Sequence, residues 1–156
     1  GFTDRAAVEI QHSLDQKNRI NIPAKFLRNQ ASPAPEAWVL ARGMEGCIAL
    51  YPREEWEKFE SKLDELKFNR RNHRNFKRLM LRDVSEVVAD KQGRIPLTSN
   101  LKEFAKIEKE ILIQGMVSHI ELWCPEIYEN YLDGLEESFE DIAEKLFSDN
   151  DNPTED

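Results

Sequence analysis

Leu14-Asp15-Gln16-Lys17-Asn18-Arg19-Ile20 returns 75 positions later as Ala89-Asp90-Lys91-Gln92-Gly93-Arg94-Ile95. A second set of landmarks follows in the same order. Gly43-Met44, Leu50-Tyr51-Pro52, Glu54 and Trp56 match Gly115-Met116, Leu122-Trp123-Cys124, Glu126 and Tyr128, now 72 positions apart. The first copy therefore holds about three extra residues, best placed in Ser32-Pro33-Ala34-Pro35. Self-similarity at a near-constant offset organises a fold more strongly than any local signal, and this chain is a tandem duplication.

Each copy has the same local grammar. Val8, Ile10, His12 and Leu14 alternate with polar residues, the period of a half-buried strand. Asp15-Gln16-Lys17-Asn18 is a turn, and Asn18 tolerates the left-handed conformation that Gly93 supplies in the second copy. Ile20 and Ile22 alternate in a short returning strand, so the local pattern predicts a hairpin. Pro23 suits the first turn of a helix over Ala24 to Asn29. In the second copy, Thr98 or Ser99 caps a helix to about Lys106. Two more strands are expected near 37–42 and 47–51, with counterparts near 110–114 and 120–123. The repeating unit is ββαββ, and the fold class is α+β.

Helices fill the remainder. Trp56, Phe59, Leu63 and Leu66 step by three or four over 53–67, and a second helix over about 69–82 links the halves. After Pro125 one long helix is expected, with Tyr128, Tyr131, Leu135, Phe139, Ile142 and Leu146 on one stripe. The expected divisions are a first repeat at 6–52, linking helices at 53–82, a second repeat at 83–125, an amphipathic helix at 126–147 and an acidic, disordered tail at 148–156.

Net charge is −8, but it is unevenly spread. From Glu126 onward, twelve acids face one base, Lys145, so that segment carries −11 and residues 1–125 carry +3. Residues 67–82 hold Lys67, Arg70, Arg71, Arg74, Lys77, Arg78 and Arg82 with no acid. For a polyanionic partner the distribution of charge matters more than its sum. The same run is also readable as a solvated helix face, because Phe76, Leu79 and Met80 recur at helical spacing. No apolar run approaches the roughly 20 residues that cross a bilayer. No apolar stretch follows Gly1-Phe2-Thr3-Asp4-Arg5 as in a signal peptide, and a cytoplasmic location is expected. Cys47 and Cys124 lack CxxC spacing and are expected to be buried, reduced thiols.

Catalytic constellations are missing from the sequence. His12, His73 and His119 form no HExxH or Cys/His pattern, and neither GxSxG, a P-loop nor GxGxxG occurs. No enzyme activity, metal, cofactor or small-molecule ligand is expected. The paired Asp-x-x-x-Arg turns carry more. Asp15 and Asp90 can accept turn amides and fix each loop, with Gly93 supplying the required backbone. Lys17, Asn18, Arg19, Lys91 and Arg94 then lie on the loops or at the start of the returning strands. Arginine can fork onto phosphate or guanine, and lysine serves as a point charge for phosphate. A second reading stays open, in which each Asp and Arg simply pair to hold the turn.

With both turns, Leu50-Tyr51-Pro52 plus Trp56, the Phe76…Arg78-Leu79 helix and the closing Ile120-Glu121-Leu122-Trp123 in place, the chain resembles the MraZ family over about residues 6–128. That family is related to the AbrB-type swapped-hairpin proteins. The resemblance implies two interlaced swapped-hairpin halves forming a pseudo-dimeric, β-barrel-like core. It also implies a nucleoid-associated transcriptional regulator, assembled as a ring-shaped homo-oligomer. Such a regulator binds double-stranded promoter DNA at direct repeats ahead of the bacterial division and cell-wall gene cluster. The family's DNA-contacting arginine carries over onto Arg19, with Arg94 its match. Asn18 stands where the family usually has Gly. Pro96 follows Arg94 by only two residues, and removal of a ladder donor there is expected to make the second loop the poorer reader. Two other readings compete. One is a protein-interaction module assembling into rings without specific DNA binding, suggested by the acidic C-terminal segment. The other is an antitoxin, against which the duplication of the hairpin unit argues.

Overall fold

The computed structural model describes residues 9–23, 26 and 37–148, with the side chains of 9–11 left aside. The helix expected over 24–29, the extra residues at 32–35 and the tail beyond Ser148 lie outside the described residues. Residues up to Pro125 form one compact unit, and those from Glu126 form a second.

In the first unit the elements run β1 (Glu9–Ser13), β2 (Arg19–Asn21), β3 (Ala37–Arg42), β4 (Ile48–Pro52), α1 (Arg53–Asp64) and α2 (Arg71–Arg82). They continue with β5 (Ser85–Val88), β6 (Arg94–Pro96), α3 (Ser99–Ala105), β7 (Glu110–Gly115) and β8 (Ile120–Trp123). Six strands form an antiparallel sheet in the order β1-β7-β8-β4-β3-β5, and β2 pairs with β6 apart from it. Exchanging the two copies turns this order into its own reverse. A pseudo-two-fold axis therefore passes between β8 and β4, and between β2 and β6. Ile20 lies opposite its own counterpart Ile95, and Ala49 opposite Glu121.

The local hairpin pattern is realised with a difference. The chain reverses at residues 15–19, as Asp15 N–H donates to the Arg19 carbonyl and Asn18 N–H to that of Asp15. The two arms then part. β1 pairs with β7 of the second copy, β5 pairs with β3 of the first, and β2 and β6 pair with each other. This is the duplicated swapped-hairpin arrangement, and the fold is α+β.

Burial explains the apolar runs. Trp38, Leu40, Ile48, Leu50, Ile111, Ile113 and Leu122 pack with Ile20, Ile22, Ile95, Leu97 and Leu101 on one face of the sheet. Val39 and Ala41 point the other way, against Trp56, Leu63 and Met80. Four successive β3 residues are buried because both faces of that strand are covered. Glu54 and Glu55 sit in the first turn of α1 and Lys62 in its last, each favourable for the helix dipole. The Thr98 hydroxyl accepts from Leu101 N–H and caps α3, which ends at Lys106 in the left-handed region (φ 58°). Cys47 is buried and Cys124 half-buried, and both thiols are free.

Pro96 costs the β2–β6 ladder nothing. Leu97 N–H donates to the Asn18 carbonyl, so the alternation of antiparallel pairs makes Ile20 and Ile95 hydrogen-bonded partners. Pro96, opposite Arg19, falls on a non-hydrogen-bonded pair.

The second unit corrects the single long C-terminal helix. It is broken into α4 (Pro125–Asp133) and α5 (Phe139–Phe147). Gly134 N–H donates to the Asn130 and Tyr131 carbonyls and closes α4. Ser138 and Asp141 then form a reciprocal capping box that starts α5 afresh. Among the described residues, no helix is long and apolar enough to cross a membrane.

Candidate nucleic-acid interface

The two loops have one geometry written twice. Asp15 Oδ1 accepts from Lys17 N–H at 2.8 Å and Arg19 N–H at 2.9 Å, while Oδ2 accepts from Arg19 Nε at 2.8 Å. Asp90 repeats this with Gln92 N–H at 2.8 Å, Arg94 N–H at 2.9 Å and Arg94 Nε at 2.8 Å. A carboxylate four residues before an arginine can hold both the backbone and the guanidinium only if the chain turns back between them. That turn needs a positive φ just before the arginine, and it occurs at Asn18 (60°) and Gly93 (80°).

Pairing of β2 with β6 brings the two loops together. Arg19 Nη1 reaches across to Asp90 Oδ2 at 3.4 Å, and Arg94 Nη1 lies 3.9 Å from Asp15 Oδ2. Two aspartates and two arginines thus form a cross-braced, charge-balanced square on the pseudo-two-fold axis. Asn21 Nδ2 donates to the Gln92 carbonyl, a further tie between the copies. The carboxyls of Asp15 and Asp90 are held below the ordinary carboxylate range. The largest cause is the backbone N–H of the motif arginine, opposed by desolvation and aided by the guanidinium.

Sequence left two roles open for Arg19 and Arg94, and the geometry gives both arginines the bracing role. Among the described residues, Nη2 of neither has a partner, so one guanidinium nitrogen of each remains for an outside acceptor. Lys17, Asn18 and Lys91 are exposed beside this square. With the square neutral in sum, the lysines supply its excess positive charge. A third lysine was missed by motif reading. Lys102, on α3 of the second copy, places Nζ 2.7 Å from Asn18 Oδ1 of the first. Its only sequence signal was position on a helix after the second motif, because the contact spans the interlacing of the copies.

The remaining candidates sit elsewhere. His119 stacks on Tyr51 with ring centroids 4.8 Å apart, and Tyr51 also meets Trp56 and Phe59. His73 Nδ1 accepts from Lys67 N–H. Among the described residues, no three His, Cys, Asp or Glu side chains converge as metal ligands.

Fold and loops define a duplicated swapped-hairpin protein with two Asp-x-x-x-Arg turns back to back. A family model described as "MraZ protein, putative antitoxin-like" matches twice, over residues 6–79 and 80–150. The chain belongs to the MraZ family. It is 43% identical over 135 residues to a protein from Halothermothrix orenii named transcriptional regulator MraZ, covering 86% of this chain and 92% of the relative. A protein of the same name from Lactobacillus delbrueckii subsp. bulgaricus is 48% identical over 138 residues, covering 88% and 94%.

Proposed function

We propose that this chain is a transcriptional regulator of the MraZ type that acts in the cytoplasm on the nucleoid. It binds direct repeats in the promoter of the division and cell-wall gene cluster through its paired loops. The names of its relatives support the regulator reading. The observation that carries the loop reading is the cross-braced square. It commits the aspartates to holding the turns rigid, and leaves Lys17, Lys91, Lys102 and one guanidinium nitrogen each of Arg19 and Arg94 around one small surface.

The chemistry divides between the residue types. Lysines contribute salt-dependent affinity by displacing counterions from phosphates. The remaining guanidinium nitrogen, fixed in direction by the carboxylates, is suited to one acceptor on a phosphate or a base. Three lysines and two partly committed arginines bind weakly alone, so a ring-shaped homo-oligomer facing direct repeats gains affinity through effective concentration.

The test is a fluorescence-anisotropy titration of wild type and Arg19→Ala against the promoter duplex and a scrambled duplex. The expected result is promoter-selective binding, weakened by about 1–3 kcal/mol in the variant. Equal binding of the two duplexes, or an Arg19→Ala curve that overlies wild type, would move the function to an assembly module without specific DNA binding.

A further inference from the structure

α2 ends on a residue that its own dipole disfavours. Asp83 is the C-terminal cap, where the helix presents partial negative charge, and its carboxylate side chain is only 5% exposed. Arg42 compensates it. Two residues beyond the last β3–β5 pair, Leu40 with Ser85, the antiparallel register sets Arg42 opposite Asp83. Arg42 Nε donates to Asp83 Oδ2 at 2.9 Å. Alternation along β3 puts Arg42 on the face of Trp38 and Leu40, which α3 covers through Leu101. There its guanidinium lies over the Phe104 ring of α3, 4.6 Å from the centroid. One side chain therefore joins the end of α2, the end of β3 and α3.

α3 also carries Lys102, whose Nζ donates to Asn18 Oδ1 of the first loop. An ammonium has three donors, so among the described residues two remain for a phosphate. None of this series of contacts is repeated. At an offset of 75 the counterparts of Lys102, Phe104 and Asp83 are Leu27, Asn29 and Val8, and at an offset of 72 that of Arg42 is Gln114, none of them charged. Gly93, in the place of Asn18, has no side chain to receive a lysine. Each loop has one lysine of its own, Lys17 or Lys91, so Lys102 gives the first loop a second cation.

We propose, resting on the loop reading of DNA binding, that Arg42, clamped between Asp83 and Phe104, is a positioning residue: it fixes α3 so that Lys102 stands beside the first loop as a second phosphate contact. Ordering a long lysine side chain on a phosphate costs rotamer entropy at the moment of binding. A lysine held by Asn18 on an anchored helix has already lost that freedom. Arg42 thus acts through α3, not by contact with the polyanion.

The test is the anisotropy titration of the promoter duplex by the full chain, repeated over a salt series. Wild type is compared with Lys102→Ala, with Phe104→Leu and with Arg42→Gln/Asp83→Asn, a pair that leaves no buried charge without a partner. Each clamp variant is also combined with Lys102→Ala. Lys102→Ala is expected to weaken binding and to lower the slope of log affinity against log salt by about 1 for each chain engaged. Phe104→Leu and the neutral pair are expected to lose a part of the same affinity, and to lose nothing further once Lys102 is replaced. Phe104→Tyr, which keeps the ring, is expected to bind as wild type. Denaturant unfolding checks that each variant is folded; if the neutral pair is not, Phe104→Leu, which keeps the Arg42–Asp83 pair, decides. Folded clamp variants with wild-type affinity overturn the proposal. A loss that adds in full to that of Lys102→Ala also overturns it, because it marks a general loosening of the fold. Wild-type affinity and slope in Lys102→Ala overturn it alone, as long as binding still depends on Arg19 and the loop reading stands. Equal binding of promoter and scrambled duplexes by wild type removes the loop reading, and the proposal with it.

Discussion

Asn18 and Gly93 occupy the same position in the two loops, and both lie in the left-handed region. A Cβ at Gly93 would meet only Asn21 Oδ1, at 3.9 Å, so the cost of a side chain there is conformational rather than steric. Gly93→Ala is expected to lower stability to chemical denaturation by about 1 kcal/mol, and Asn18→Gly to leave it nearly unchanged. Equal effects would contradict the turn assignment. The aspartates add a pH dependence. Their folded values lie below the ordinary value of about 4, so their contribution is complete above that value and is lost as pH falls through the folded values. The thermal midpoint should fall in this acid range, and fall less steeply in Asp15→Asn/Asp90→Asn. Much of this was legible in the sequence, since an acid four residues before an arginine with Asn or Gly between them constrains the turn chemically. Which of its two roles the arginine takes was not legible. That depends on Asp90 meeting Arg19 across 71 residues of chain.

Elements were legible where their signals are local. Strands were expected near β3, β4, β7 and β8 and are found there, and of the two candidate caps, Thr98 and Ser99, Thr98 caps α3. Strand partners were not legible, because the same alternation suits pairing of β1 with β2 or with β7. The choice falls to burial of Ile20 and Ile95 between the copies, both fully buried. Ile20→Ala is expected to cost about 2–5 kcal/mol in denaturant unfolding, beyond any effect at the surface loops. The C-terminal helix was overextended because an apolar stripe runs through Gly134 without a visible interruption, and the capping box beyond it was overlooked. The Tyr51–His119 stack joins the end of β4 to the start of β8 and is equally non-local. Burial lowers the affinity of His119 for a proton, with Glu121 and Glu55 opposing. Its contribution is therefore present above about pH 6.5 and lost as pH falls through the lower folded value. The thermal midpoint should drop as pH falls below about 6.5, and His119→Phe, which keeps a ring on Tyr51, should flatten that drop.

At the scale of the whole molecule, duplication does what a dimer of single hairpins would do, within one chain. It fuses two equivalent loops around one axis and fixes their spacing through the β2–β6 ladder. It also frees the copies to diverge: Asn18 against Gly93, Lys102 serving only one loop, and an acidic unit following the second copy alone. Net charge of −8 conceals an excess of base over residues 1–125, because the segment from Glu126 onward carries −11. The central claim is that the paired loops contact DNA phosphates through their exposed lysines, on a surface the aspartate–arginine square holds in shape. The most direct measurement is the salt dependence of promoter affinity for wild type and Lys17→Ala/Lys91→Ala. Each phosphate contact contributes about 0.9 to the slope of log affinity against log salt, so the double variant should bind more weakly with a slope reduced by roughly 2 per chain engaged. An unchanged slope with unchanged affinity would contradict the account.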